Sequence, residues 1–523
     1  MIIAGVDFGT QSVRATLLDT SLGTVMASES ASYNVRRDAS DPLRATQSHD
    51  DQMSSLRDAL RSASDTAGVS LRSIAGIGCA TTGSSVIFTD DHLRPVSDYY
   101  LWCDHRAYKE AAEITAAGRA QDLEALKWCG GTYSHEWGYA KLLHFLRNGG
   151  AAANTATLAL ENCDMIAATL SGTSDPRDLR RSVCAMGHKW MWGAAWGGYP
   201  EDAFFASVDP LLANTSSYLR GAVVEQGGLA GYLSEPMAEF FGLTAGIPIA
   251  VGAFDAHWDA IGAGVGPGDM VNIVGTSTCM IGVLPDDPKP VTGICGTVPG
   301  SVLPSLPGIE AGLSAVGDAF SSIARRCNTS VEALSDILST RERRMTGLLR
   351  VPWDNGDRTV MVNAELGAML LGLDLEHRAE DELQAAFEGT ALHTRLILEH
   401  IKMELGGFDR IINGGGIPPR NPFLNQIYAD VLGCEVLVPR TSVTGIGPGI
   451  FAAVAAGAFD TIEEAQDAFC PEFETVYPNE RFLPHYDALY EEFSHIYRAF
   501  GDASTGTHAP TMRLLKQQRV AKV

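Results

Sequence analysis

The chain has 523 residues, 45% hydrophobic and 20% charged, ordinary globular values that exclude a disordered or collagen-like chain. Asp and Glu total 63 against 39 Lys and Arg, a net charge of −24. No nucleic acid or anionic membrane is therefore expected as a partner, since both need a basic face, whereas a small phosphorylated ligand can be held by backbone N–H groups and one metal ion.

Residues 2–6 read as an apolar strand, DFGT as a glycine turn and residues 13–18 as a second strand, with 25–27 extending the pair to a meander. An amphipathic helix is expected from about Asp50, with Met53, Leu56 and Leu60 on one face. Residues 74–78 read as a short buried strand and 107–128 as helix. The middle, roughly 150–250, reads as loop, because HKWMWGAAWGGYP and LSEPMAEFFGL are aromatic and turn-forming rather than periodic. The opening pattern then recurs as MVNIV, GTST and CMIGV at 270–283, which suggests two domains of similar construction. A long helix over 381–405, a strand RIING running into GGG, a helix from near Pro422, a strand CEVLVP and an Ala-rich helix from near Gly449 complete an α/β pattern. The Ser-, Gly-, Thr- and Pro-containing segment after Gly501 reads as a poorly packed tail.

The ten cysteines show no CxxC spacing and are expected to be reduced, buried thiols of a cytoplasmic protein. MIIAGVDFGT lacks the basic region of a leader, and the longest apolar stretch, 450–459, is far short of the ~20 residues that span a bilayer. No GxxxxGK[ST] is present, which excludes a P-loop, and GAGVGPG and GIGPG lack the full dinucleotide fingerprint. That leaves four glycine turns beside strands: DFGT, GTST, INGGG and GIGPG. Such turns suit phosphate, since glycine admits close approach, successive N–H groups form an anion nest and a threonine hydroxyl adds a donor. Asp7, at a strand end, is of the type that holds Mg2+ directly or through water.

In combination, DFGTQSVRA, GAFDAH, GTST, INGGG with RNPF, and GPGIFAAVAAG resemble the FGGY carbohydrate kinases, of the actin, hexokinase and 70-kDa-chaperone ATPase superfamily. Within that family LWCDHRA, GGTYSHEWGYAKLLH, GHKWMW, VGTSTC, GICG and IEAGLSAVGD are most similar to the ribulokinases, and the likeness covers roughly residues 3–475. The resemblance implies two actin-like (ribonuclease H-like) α/β domains flanking a cleft: 1–258 with the sugar side and first phosphate turn, 259–500 with the nucleotide side, and a tail at 501–523. It implies Asp255 as the base that takes the proton of the phosphorylated hydroxyl, a step that suits phosphoryl transfer, which is mostly positioning and charge neutralisation. It implies ATP and Mg2+ as cofactors, with Asp7 at the metal. Thr10, Gln11 and Arg14 fall in the first phosphate turn, Gly275 and Thr276 in the second, and Gly414, Gly415, Gly416 and Asn421 by the nucleotide. Gly83, Trp102, Lys189 and Glu310 join Asp255 as the sugar pocket, an apolar face with a few placed polar groups. Lys189 has the alternative reading of a surface cation–π pair with its neighbours Trp190 and Trp192.

The implied activity is ATP-dependent phosphorylation of a ketopentose, ribulose to ribulose 5-phosphate, in a cytoplasmic enzyme, with a homodimer compatible; a xylulose or ribitol kinase, a non-sugar ATPase and a silent sugar sensor are the alternatives. Ala80 stands where ribulokinases commonly have Asp, Gln11 where an acidic residue is usual, and Asp357 where a basic one is. The loss at Ala80 leads to the expectation of weak discrimination between the two ribuloses, sharpened by Ala80→Asp.

Overall fold

A computed structural model describes residues 1–285, 288–502, 508, 510–512 and 514–515. The architecture is α/β, built on two large mixed sheets. In the first, strands run in the order Leu229–Tyr232, Pro248–Ala250, Ile74–Thr81, Ile2–Phe8, Ser12–Asp19 and Thr24–Ser32, with Ala253–Phe254 also on Ile74–Thr81. In the second, the order is Gly296–Pro299, Pro307–Leu313, Thr278–Val283, Asp269–Val274, Arg410–Gly414, Val436–Pro439 and Phe473–Val476. Each contains an antiparallel hairpin whose first strand pairs in parallel with a strand far along the chain: Ile2–Phe8 with Ile74–Thr81, and Asp269–Val274 with Arg410–Gly414. The recurrence in the sequence is thus a shared topology. These parallel strands, IIAGVDF, DMVNIV and RIING, are mostly apolar and buried because both faces are covered, and the buried amide Asn272 Nδ2 donates to Asn413 Oδ1 at 3.1 Å.

Helix His49–Ala67 has Ser48 as its N-cap and lays Met53, Leu56 and Leu60 on the first sheet, as the periodicity predicts. Two helices fill the space between the sheets, Asp255–Gly262 and Ile446–Ala455, with the Trp258 and Phe451 rings stacked at 5.0 Å. The expected domain boundary at 258/259 falls inside the first of them.

Several expectations are corrected. The expected helix over 107–128 is two, Tyr108–Ala120 and Glu124–Trp128. The segment 150–250, expected to be loop-rich, holds a series of short helices and strands. HKWMW is the end of helix Val183–Lys189, and LSEPMAEFFGL holds helix Glu235–Phe241, which starts on Ser234 and Pro236 and stops at Gly242 in the left-handed region. These helices are too short for periodicity to register, so their end signals carry the information. All ten cysteines are free, but Cys327 and Cys434 are exposed. The Ala-rich helix starts at Ile446, so Gly447 and Gly449 are helical; only Gly445 makes the turn. Most of the expected tail lies outside the described residues, although Met512 packs on the second core.

Asp357 anchors the C-terminal helix Leu483–Gly501. Its buried carboxylate accepts from Trp353 Nε1 at 2.9 Å and Tyr497 OH at 2.5 Å. Among the described residues no helix is long and apolar enough to cross a membrane.

Candidate active site

Three parallel strands of the first sheet end side by side, with Asp7 level with Ala80, and Ala80 level with Ala253. This common edge supplies Asp7, the turn at 82–84 and Asp255. Asp255 opens helix Asp255–Gly262, and its Oδ1 accepts the Ala256 N–H at 2.7 Å. It is therefore a helix-terminal carboxylate that also faces the cavity. Asp259 follows one turn later. Burial, then repulsion from Asp7, pushes the Asp255 carboxyl up to about 7. Burial raises Asp7 to about 6, with Arg14 opposing, and raises Asp259 well above the usual range, with Asp7 and Asp255 adding. Asp7 Oδ1 is buried without a hydrogen-bond partner among the described residues. An orphaned buried carboxylate oxygen on Asp7 fits Mg2+, which takes one or two carboxylates and completes its shell with water and phosphate oxygens.

A cavity of about 1030 Å³ opens on Asp255 and brings Thr10, Gly83, Trp102, Lys189, Thr276 and Glu310 together with it. Trp102 Nε1 donates to Thr10 Oγ1 at 3.0 Å, joining the aromatic wall to the first phosphate turn. Gly83 sits against the Phe254 ring, where a Cβ would be at 3.1 Å. Lys189 donates to both carboxylate oxygens of Glu310, at 2.7 and 2.8 Å. The rings near its ammonium are Trp137 at 5.3 Å and Phe254 at 5.5 Å, not Trp190 or Trp192; Trp190 is turned away to Glu161. Burial alone would raise the Glu310 carboxyl, but Lys189, with His188 and His257 adding, holds it at about 2.

Thr276 is exposed, and its turn is fixed from behind by Val316 N–H and Asp318 N–H, which donate to its carbonyl at 2.8 and 3.2 Å. Gly275 lies in the same turn. Gly414 is level with Ile273, and Gly415, at φ +90°, packs on the Val274 backbone where a side chain would clash, so the GGG and GTST turns are neighbours at one sheet edge. Asn421 caps helix Pro422–Leu432, accepting from Leu424 N–H at 3.0 Å. Asp7, Gln11, Arg14, Gly275, Gly414, Gly415, Gly416 and Asn421 do not line the cavity. Gln11 is exposed beyond the turn, and Arg14 stands opposite Asp7 and reaches Ser28. The GIGPG turn is not a phosphate turn. Gly447 and Gly449 instead let helix Ile446–Ala455 touch the Trp258 backbone and the Leu18 side chain.

Sequence reasoning missed several groups in and behind the cavity wall. His257 lines it beside Glu310, with the buried His188 on Glu310 from behind, and Arg358 pairs with Glu136 at 3.5 Å between the two halves of the chain. His188 lies in GHKWMW, His257 in GAFDAH and Glu136 in SHEW; no spacing rule links groups so far apart in the chain.

Residues 2–180 match the model of the FGGY family of carbohydrate kinases, N-terminal domain, and residues 270–456 match its C-terminal domain. The chain is 33% identical to a ribulokinase of Shouchella clausii over 98% of this chain and 97% of that protein. It is 32% identical to a ribulokinase of Vibrio parahaemolyticus over 89% of each. Among solved structures, a ligand-bound xylulose kinase of Lactobacillus acidophilus superposes with a TM-score of 0.83 over 97% of this chain and 99% of that one, at 16% identity, a likeness of fold alone.

Proposed function

Because the chain belongs to the FGGY family of carbohydrate kinases, we propose that it transfers the γ-phosphoryl group of ATP to a ketopentose, ribulose giving ribulose 5-phosphate. The observation that carries this reading is Asp255, a carboxylate held by its own helix terminus in a cavity that also exposes the Thr10 and Thr276 turns of the two sheets. The relatives that support ribulose are ribulokinases at 32–33% identity over most of their length.

The sugar lies along Trp102, Gly83 and Lys189 of the 1–258 side, with Glu310 reaching it from the 259–500 side. ATP lies along the second-sheet turns, Gly275, Thr276, Gly414, Gly415 and Gly416, with Asn421 at their base, on the 259–500 side. Thr10, Gln11 and Arg14 belong to the phosphate end. Asp255 Oδ2 takes the proton of the terminal hydroxyl as that oxygen bonds to the γ-phosphorus and the bond to the departing ADP oxygen breaks. A carboxyl near 7 is matched to this task at neutral pH. Asp7, with its orphaned oxygen, is the residue that would hold Mg2+, which when bound neutralises phosphate charge. Closure of the two halves excludes water that would hydrolyse ATP.

An ADP-release screen over pentuloses, pentitols, hexuloses and glycerol tests the reading. Ribulose as best substrate supports it, and xylulose, a pentitol or glycerol as best substrate overturns the ribulose assignment. ATP turnover that no sugar stimulates overturns the kinase reading.

A further inference from the structure

Lys141 is fully buried on helix Gly138–Asn148, and its ammonium meets three backbone carbonyls. Nζ donates to Leu101 O at 2.8 Å, to Tyr100 O at 3.2 Å and, closest of all, to Ser84 O. A lysine ammonium carries three N–H donors, so each finds an acceptor. Among the described residues no carboxylate lies within 4.0 Å of it, which distinguishes it from Lys189. Burial pulls its ammonium down to about 8, with Glu161 and Asp104 opposing from farther off. Packing alone would be served better by an apolar side chain, which avoids that desolvation.

The three carbonyls belong to two segments, 82–84 and 100–102, that strand Val86–Thr89 separates and that both contribute to the cavity wall. Ser84 ends the turn at 82–84, whose Thr82 N–H donates to Phe8 O at 3.0 Å and whose Gly83 rests on Phe254. Tyr100 and Leu101 lead directly into Trp102, which bonds Thr10. Ser84 has φ +62°, a left-handed conformation that a residue with a Cβ adopts only when its surroundings hold it there. The carbonyl that follows from this twist is the one Lys141 takes.

We infer that Lys141 is a positioning residue of the sugar pocket: its ammonium clamps the Ser84 turn and the Trp102 segment at a fixed separation and holds Ser84 left-handed. It touches neither substrate. The inference rests on the sugar-kinase reading, because the two segments it joins are the sugar side of the cavity.

The test is steady-state kinetics on the full chain with its best ketopentose. Lys141→Met keeps the length of the side chain and removes the donors. The sugar KM is expected to rise about tenfold or more while the ATP KM stays within about twofold. Adding Ser84→Gly, which lifts the steric cost of φ +62°, is expected to recover about threefold of the lost sugar KM. A lysine that merely fills the core predicts no recovery, because Ser84→Gly removes further side-chain contact. A sugar KM within about twofold of wild type, both KM values rising together, or no recovery in the double variant overturns the inference. If Lys141→Met does not fold, Lys141→Gln, which keeps two donors, takes its place: a selective rise in the sugar KM supports the inference, and an unchanged sugar KM or a joint rise of both overturns it. A wild type that phosphorylates no sugar overturns the kinase reading and this one together. An active wild type with unchanged Lys141 variants overturns this one alone.

Discussion

Lys189 and Glu310 come from different halves of the chain, 121 residues apart, and form a buried bidentate pair in the cavity. Removing one partner leaves the other charged and buried, which costs about 3–5 kcal/mol, whereas removing both costs less. Lys189→Met and Glu310→Gln should each lower thermal stability more than the double variant does, and all three should raise the sugar KM more than the ATP KM. Denaturation midpoints and KM values check this; additive losses of stability would show that the pair is not coupled.

Asp255→Asn keeps the shape of the side chain and cannot take a proton. Its kcat should fall by about three orders of magnitude or more with both substrates still bound. Because the carboxyl sits near 7 and must be ionised to act, kcat/KM should rise with pH through the neutral range and then level. A pH profile of wild type and ATP titration of the variant check both, and near-normal turnover in Asp255→Asn would remove it from the mechanism.

Trp102 lines the cavity, and its indole N–H donates to Thr10 Oγ1; the kinase reading places its ring on the sugar side. Trp102→Ala should raise the sugar KM by more than about tenfold and the ATP KM by less than about threefold. The reverse pattern would place Trp102 on the nucleotide side.

Glu388 is buried in the second core, accepting from Gln384 Nε2 at 2.8 Å and Tyr486 OH at 3.0 Å. Burial pushes its carboxyl from 4.5 up to about 7. The folded state therefore holds the proton more tightly, so this group's contribution is fully present below about 4.5 and is lost as pH rises through about 7. Glu388→Gln should be more stable than wild type above pH 7, by at most about 3 kcal/mol, with the gap closing toward pH 4.5. Denaturant unfolding at three pH values checks the sign; a gap that widens in acid would reverse it.

Ala80 lies level with Asp7 on the neighbouring strand and does not line the cavity. A carboxylate there joins the acidic group of Asp7, Asp255 and Asp259 instead of reading a sugar hydroxyl. Ala80→Asp should thus change the Mg2+ concentration needed for activity and leave the ratio of kcat/KM for the two ribuloses unchanged, contrary to the expectation from sequence. Magnesium titrations and both substrates check it.

The fold was legible where a pattern was long or sharply ended. His49–Ala67, Ala379–Leu405 and both glycine-turn hairpins follow directly from periodicity and turn chemistry. The short helices Val183–Lys189 and Glu235–Phe241 were not, since two turns of helix give no periodic signal. In the site, motifs named Asp255, Trp102, Lys189 and Glu310. The direct pairing of Lys189 with Glu310, the Glu136–Arg358 pair and the Lys141 clamp depend on segments brought together by the fold, which local spacing does not encode. GIGPG misled because glycine serves close helix packing as readily as phosphate approach.

The bond from Trp102 to Thr10 has an energetic consequence for the order of events. A sugar that stills the indole also stills the hydroxyl that meets the phosphates, so each substrate lowers the ordering entropy left for the other. By thermodynamic reciprocity the sugar then tightens ATP by the same factor as ATP tightens the sugar. On the kinase reading, nucleotide alone would meet a looser turn, so ATP would be spent on water less readily until the sugar is bound.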